Sequence, residues 1–283
     1  MSELRTPLEY LCEPGDASGP GLGQDVVFVH GFPDGPSVWE VSARHLRKRG
    51  FRVIRVTLPG FEEEGEDQSP QSFEALGERL YLTLKACDAL GATLIGHDWG
   101  AILVYQMLRH HPEAVSRVVT IEIGAGPRTP WLVLFVLAYH ALLIFAHWLG
   151  APRGDWLMQR FCACLRRPSY AGAPRAKARH AWLYRQAWRE GSREGPWLFY
   201  YRNLIARWRP HPEVPTLFLY GSETSTLFRF HSKAWRRELT RASALNRVST
   251  LPGAHWCFLE APEAFHAALD DFLQAEVSTS TRG

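Results

Sequence analysis

The sequence predicts an α/β fold, a mostly parallel central sheet flanked by helices, with an inserted helical cap. Two observations support this prediction. Short apolar and β-branched runs alternate with helical patterns, which is typical of a parallel sheet covered on both faces. Residues 124–212 break the rhythm, because they contain no convincing strand but seven of the eleven tryptophans. We therefore expect a core built from 1–123 and 213–283, with 124–212 as the cap, or lid.

The individual elements follow from the apolar runs and the residues that end them. Strands are expected at 25–31, 51–60, 92–98, 117–124 and 215–221, with a weaker one at 246–253. Several of these runs stop at Gly or His-Gly, as buried strands do at a turn. Helices are expected at about 71–90, 99–111, 230–240 and 261–274. Residues 1–24 are poor in strand signals, so the first strands should be short or irregular.

Composition excludes several classes of protein. A net charge of +3 is too small to indicate a nucleic-acid-binding protein. The five scattered cysteines fit reduced thiols better than a disulfide framework. The stretch "MSELRTPLEY" lacks the basic and then apolar pattern of a signal peptide. We therefore expect a cytoplasmic protein that is not secreted.

The stretch "LIGHDWGAIL", residues 94–103, predicts a nucleophile elbow between a strand and a helix. In such a turn the central residue is strained and projects above the sheet, and small residues two positions away let the backbone pass. Gly96 and Gly100 have this spacing around Asp98. A simple helix cap would not need both glycines. Asp98 is therefore the candidate nucleophile, and its carboxylate would attack carbon to give an alkyl ester.

Hydrolysis of that ester requires an oxyanion hole and a general base. In "FVHGFPD", residues 28–34, the turn after a strand can direct the Phe32 amide towards the elbow, and the Trp99 amide follows the nucleophile directly. His255 lies in a loop after the last strand, and it follows the nucleophile in chain order as expected for the base. His30 and His97 are expected to be structural residues beside the site.

Four motifs resemble the epoxide hydrolase branch of the α/β-hydrolase fold. They are HGFP at 30–33, GHDWG at 96–100, GPWLFYYRN at 195–203 and GAHW at 253–256. The resemblance covers most of the chain, from about 25 to 274. It implies opening of an epoxide to a vicinal diol, with no metal and no cofactor. In the family, cap tyrosines donate hydrogen bonds to the epoxide oxygen as the ring opens.

The third motif places Tyr201 at the position of one such tyrosine. Tyr139 stands at about the right distance for the second. Other tyrosines remain possible substitutes: Tyr170, Tyr184 and Tyr200. The chemistry requires such a donor, because ring opening creates an alkoxide and a nearby O–H lowers that barrier.

The acid of the predicted triad departs from the family pattern. The family places an Asp three residues after the Gly that ends the corresponding strand, but here Thr224 follows Gly221 at that spacing. Glu122, at the end of the strand 117–124, is the favoured replacement. Glu223 is the alternative, and a chain without an acid is the third possibility. The acid would orient His255 and stabilise its imidazolium.

The segment 131–149 contains no Asp, Glu, Lys or Arg and could by length just span a bilayer. A single crossing there would separate strands that must join one sheet. We therefore predict a cap helix lining an apolar pocket, with peripheral membrane contact as a further expectation. Residues 151–210 carry 13 Lys or Arg against 3 Asp or Glu, an excess that either faces solvent or attracts anionic surfaces.

The function expected from these residues is hydrolysis of a small lipophilic epoxide. Haloalkane dehalogenation, or other cleavage of a carbon–halogen bond, is the alternative, because it uses the same Asp and Trp. That group resembles an HGNP turn whose Asn helps to bind halide, and Phe32 in place of this Asn disfavours it. A catalytically weak protein with a binding or membrane-associated role is the third possibility.

Overall fold

A seven-stranded sheet forms the centre of the molecule. The computed structural model describes residues 6–31, 34–59, 61, 73–124, 130–149, 152–164, 214–224 and 229–275. The strands are β1 (Glu9–Glu13), β2 (Asp25–Val29), β3 (Arg52–Thr57), β4 (Ala92–His97), β5 (Val115–Ile121), β6 (Thr216–Gly221) and β7 (Arg247–Leu251). Their order is β1-β3-β2-β4-β5-β6-β7. Strand β1 pairs antiparallel with β3, and the other neighbours are parallel, which confirms the predicted sheet.

Eight α-helices are present in the described residues. They are α1 (Glu40–Lys48), α2 (Phe73–Ala86), α3 (Trp99–His110), α4 (Pro130–Leu149), α5 (Arg153–Cys164), α6 (Lys233–Ala242), α7 (Cys257–Glu260) and α8 (Pro262–Gln274). The six predicted strands and four predicted helices each have a counterpart here. Helix α1 was not predicted, because its buried side consists of Ser42, Ala43 and Leu46 within a charged sequence.

Alternate residues of the strands contribute to two separate hydrophobic cores, one on each face of the sheet. Val27 and Val29 of β2 belong to the core shared with α2 and α3, whereas Val26 and Phe28 belong to the core shared with α1 and α8. Full burial of such a side chain contributes about 1.5–3 kcal/mol. The sheet is therefore held from both sides, and the carboxyl ends of its strands form a rigid edge.

Helices α4 and α5 are the described part of the chain between β5 and β6. They pack on each other through Ala146 and Met158, which are both almost fully buried. Among the helices that the structure describes, none is long and apolar enough to cross a bilayer. At the start of α4, Trp131 is 79% exposed and Leu134 is 54% exposed. Residues 165–213, which include most of the rest of the predicted cap 124–212, lie outside the described part of the chain.

Candidate active site

Asp98 lies in a strained turn at the junction of β4 and α3. Its backbone has φ 51° and ψ −118°, and its side chain makes no cap hydrogen bond to the helix. A non-glycine residue in such a sparsely populated conformation costs about 1–3 kcal/mol and persists where the surrounding structure imposes it. The side chain is 15% exposed, so the carboxylate is accessible from above the sheet. The geometry is that of an elbow and not of a helix cap.

The glycines around Asp98 are required by close packing. A Cβ on Gly100 would stand 2.1 Å from the carbonyl oxygen of Val29, and one on Gly96 would stand 2.8 Å from Ala101. A Cβ on Gly31, in the turn after β2, would stand 2.6 Å from the Cβ of Asp98 itself. The neighbouring strand and turn thus press directly against the elbow, which explains why small residues occupy these positions.

His255 lies between two carboxylates. Its Nε2 is 3.7 Å from Oδ1 of Asp98, and its Nδ1 is 3.6 Å from Oε2 of Glu122. Both distances are within ion-pair range and slightly longer than a hydrogen bond, as is common in catalytic groups before substrate binds. At the carboxyl ends of β4, β5 and β7, the structure therefore places the predicted base between the predicted nucleophile and the favoured acid.

Glu122 follows β5 directly and is completely buried. Its φ of 70° places it, like Asp98, in the left-handed region. Its Oε1 accepts hydrogen bonds from the Gly221 main-chain N–H at 2.5 Å and from the Thr224 hydroxyl at 2.9 Å. The next residue is also held, because the Tyr105 hydroxyl donates to the carbonyl oxygen of Ile123 at 3.2 Å. Glu122 is therefore held in one orientation from two sides.

The two carboxylates change the proton affinity of His255. Burial lowers the pKa of His255, but the nearby carboxylates of Asp98 and Glu122 outweigh that effect and raise the pKa to about 10. At neutral pH the resting site therefore holds an imidazolium between two carboxylates. Cys257 lies close by, and burial together with the charge of Glu122 raises the pKa of its thiol, so the thiol stays protonated.

The loop that carries His255 is held by contacts to three other parts of the chain. His97 donates from Nε2 to the carbonyl oxygen of His255 at 2.9 Å. The Trp256 indole donates to Oδ2 of the buried Asp34 at 2.7 Å, and the Ala254 N–H donates to the carboxylate of Glu260 at 3.0 Å. These bonds fix the base relative to the elbow and to the turn after β2.

His30 has a structural position, as expected. Its Nε2 accepts a hydrogen bond from the Leu58 N–H at 3.1 Å, and its Nδ1 lies 3.2 Å from the carbonyl oxygen of Gly31. Since a carbonyl can only accept, Nδ1 carries the proton. The two ring nitrogens of His30 therefore bind main-chain groups of the segments that follow β2 and β3.

The structure describes some of the other predicted site residues and leaves others outside the described ranges. Trp99 is the first residue of α3, and its side chain packs with Tyr139 against the small cluster between α4 and α5. The Tyr139 ring stacks on Phe161 with 5.5 Å between centroids. Glu223 is exposed, and its main-chain N–H donates to the carbonyl oxygen of Gly253. Several candidates lie outside the described residues: Phe32, Tyr170, Tyr184, Tyr200 and Tyr201.

Sequence reasoning missed several residues that support the site. The hydroxyls of Thr224 and Tyr105 contact Glu122 or its neighbour, and Asp34 binds the indole next to the base. Thr224 stands where the family pattern has an Asp, and this departure is a signal that the sequence contains. Asp34 and Trp256 are 222 positions apart, and nothing in the sequence pairs them. Within the described ranges, no group of three His, Cys, Asp or Glu residues is arranged to hold a metal.

Comparison with known proteins identifies related chains. Residues 26–268 match the alpha/beta hydrolase family. Bifunctional epoxide hydrolase 2 of Rattus norvegicus is 30% identical over 144 residues, which cover 44% of this chain but 26% of that protein. Epoxide hydrolase 3 of Mus musculus is 22% identical over 275 residues, which cover 91% of this chain and 72% of that protein.

Solved structures agree on the fold. An epoxide hydrolase from Bacillus megaterium superposes with a TM-score of 0.65 and 19% identity, covering 95% of this chain and 97% of that chain. At this identity the likeness concerns the fold alone. The aligned part spans about a quarter of the length of the rat relative.

Proposed function

This chain belongs to the alpha/beta hydrolase family, and from that premise we propose that it hydrolyses an epoxide to a vicinal diol through an alkyl ester on Asp98. The observation that carries the proposal is the line Asp98–His255–Glu122, with spacings of 3.7 and 3.6 Å. A carboxylate at the elbow attacks carbon, whereas the serine of an esterase would attack an acyl group. The similarity to epoxide hydrolases adds support.

In the first step an oxygen of Asp98 attacks an epoxide carbon and the ring C–O bond breaks. The pair of electrons goes to the ring oxygen, which needs a proton donor as its charge develops. Tyr201 and Tyr139 are the predicted donors. Tyr139 supports this role by its position, because it packs in the same cluster as Trp99, the residue next to Asp98.

In the second step water attacks the carboxyl carbon of the ester while His255 takes a proton at Nε2. The oxygen that becomes negative would be held by the main-chain N–H groups of Trp99 and Phe32. When the intermediate collapses, the diol oxygen leaves with the proton from His255, and the proton that remains on the Asp98 carboxyl passes to His255, which regenerates the carboxylate and the imidazolium. Glu122 orients the ring and stabilises the imidazolium that forms.

The raised pKa of His255 fits this sequence of steps. In the resting site His255 is an imidazolium, because burial is outweighed by two carboxylates that raise its pKa to about 10. Esterification removes the charge of Asp98 and therefore lowers the pKa of His255, whose proton passes to the tyrosinate that ring opening leaves behind. The ring becomes a competent base when the ester is present, which is when water must be activated.

The substrate is expected to be small and lipophilic, because the described part of the cap is dominated by apolar and aromatic side chains. Trp99, Tyr139, Leu157 and Phe161 pack around Ala146 and Met158 near the elbow. Cleavage of a carbon–halogen bond remains the alternative reaction, since its first step uses the same Asp98 attack.

The experiment that tests the proposal is diol release from a panel of aryl and alkyl epoxides, with haloalkanes assayed beside them for halide. We expect the wild-type protein to release diol and Asp98→Ala to release none. Glu223→Gln serves as a control, because it makes the same kind of change in an exposed carboxylate. Halide release without diol would establish the alternative. Diol release that persists in Asp98→Ala would overturn the proposal.

A further inference from the structure

Thr224 contacts the candidate acid, but the proposed reaction steps of Asp98 and His255 assign no function to it. It is 98% buried, and its hydroxyl donates to Oε1 of Glu122 at 2.9 Å. This residue stands where the sequence pattern led us to expect the acid itself. In the structure it contacts the acid that follows the neighbouring strand instead. The Thr224 hydroxyl is neutral, so Thr224 cannot itself serve as the acid, although it binds the Glu122 carboxylate.

The two oxygens of Glu122 have different surroundings. Oε1 accepts from both the Gly221 N–H and the Thr224 hydroxyl. Oε2 has no hydrogen-bond partner among the described residues, and it lies 3.6 Å from Nδ1 of His255. Two donors on one oxygen fix the rotation of the carboxylate, so the second oxygen is directed to the base.

Thr224 is itself held firmly, which a positioning role requires. Its main-chain N–H donates to the carbonyl oxygen of Gly221, and its own carbonyl oxygen accepts from the Arg229 guanidinium at 2.9 Å. The turn after β6 thus presents the hydroxyl from a rigid base.

We propose that Thr224 is a positioning residue for the acid, and that its hydroxyl, with the Gly221 N–H, holds Glu122 so that Oε2 faces His255. The role rests on the proposed function, in which Glu122 orients the base. Other titratable groups around the pair are Asp98 after β4, the His97 ring at 4.8 Å and the Cys257 thiol on α7.

The matched variants are Thr224→Val, which keeps the shape and removes the donor, and Thr224→Ser, which keeps the donor. Both are made in the full chain with Asp98→Asn, where a neutral amide stands in for the ester. NMR titration of the His255 ring, assigned by comparison with His255→Gln, is the readout. We expect Thr224→Val to lower the pKa of His255 by about one unit, because an opposite charge moves away. Thr224→Ser should leave it unchanged.

A second readout uses the reaction itself. With Asp98 intact, single-turnover hydrolysis of the ester should slow about tenfold in Thr224→Val and recover in Thr224→Ser, as expected when a group that orients a ligand or base is lost. A lower melting temperature with an unchanged His255 titration would overturn the proposal, since that is the signature of packing alone. A raised pKa would also overturn it. The titration needs no substrate, so failure of epoxide hydrolysis in the wild type is recognised separately.

Discussion

Nε2 of His255 lies 3.7 Å from Oδ1 of Asp98, so the predicted base and nucleophile form an ion pair in the resting protein. Chain order separates these residues by the whole cap, and the sheet brings them together because β4 and β7 end at the same edge. In the proposed mechanism, this ion pair holds the proton that His255 loses before it activates water. It follows that the charge of Asp98 controls the state of His255.

The first prediction concerns stability and pH. The pKa of His255 is raised in the folded protein, from its usual 6.5 to about 10, because two carboxylates outweigh its burial. A raised folded pKa contributes stability that is fully present below pH 6.5 and is lost as the pH rises through 10. We expect the free energy of unfolding of the wild type to fall across this window relative to His255→Gln, as measured by urea denaturation. Parallel curves for the two proteins would contradict the ion pair.

The second prediction concerns the acid. Glu122→Gln removes the charge that orients His255, and we expect ester hydrolysis to slow by about 10²–10⁴-fold. The attack of Asp98 on the substrate should be affected much less, so the ester should accumulate in rapid-quench experiments. Glu223→Gln is the matched control, because it makes the same change in an exposed side chain. Equal rates in both variants would show that Glu122 is not the acid.

The third prediction concerns the elbow. Ala is favoured over Gly in a helix by about 1 kcal/mol, but a Cβ on Gly100 would stand 2.1 Å from the Val29 carbonyl oxygen. Overpacking of this kind costs about 1–3 kcal/mol, so the clash outweighs the propensity and Gly100→Ala should lower the melting temperature. Gly35→Ala is the control, since nothing lies within 4 Å of its added Cβ. A Gly100→Ala protein as stable and active as the control would refute the packing argument.

The fourth prediction concerns the apolar helix α4. Trp131 and Leu134 are exposed, and the adjoining segment 151–210 is strongly basic, so we expect co-sedimentation with vesicles rich in phosphatidylserine. Trp131→Ala with Leu134→Ser should weaken binding about tenfold, because interfacial burial of these side chains is lost. Leu90→Ser changes an equally exposed leucine in the turn before β4 and should have no effect. If the wild-type protein does not bind these vesicles, the prediction of membrane contact through α4 is wrong.

Much of this architecture is readable from the sequence, for physical reasons. A buried parallel strand must be apolar throughout, so β2, β4 and β6 stand out as short runs. The elbow is readable because close approach of Val29 and Ala101 excludes any Cβ at Gly100 and Gly96. In contrast, α1 buries too few apolar side chains to produce a clear pattern.

The choice between the two candidate acids could not be made from the sequence alone. Glu122 and Glu223 both follow a strand, and the sequence does not reveal which carboxylate turns inwards. Burial and the φ of 70° distinguish Glu122, and both are consequences of how β5 and β6 lie side by side. The contact from Thr224 is likewise a product of tertiary structure, because 102 positions separate it from the acid.

The covalent ester on Asp98 is the central claim, and trapping it is the most direct test. In His255→Gln the base is absent, so the ester should form and persist. After incubation with an epoxide that the wild type hydrolyses, intact-mass analysis should show a gain equal to the mass of the epoxide, and peptide mapping should place it on Asp98. A protein of unchanged mass, or an adduct on another residue that turns over at the wild-type rate, would contradict the account.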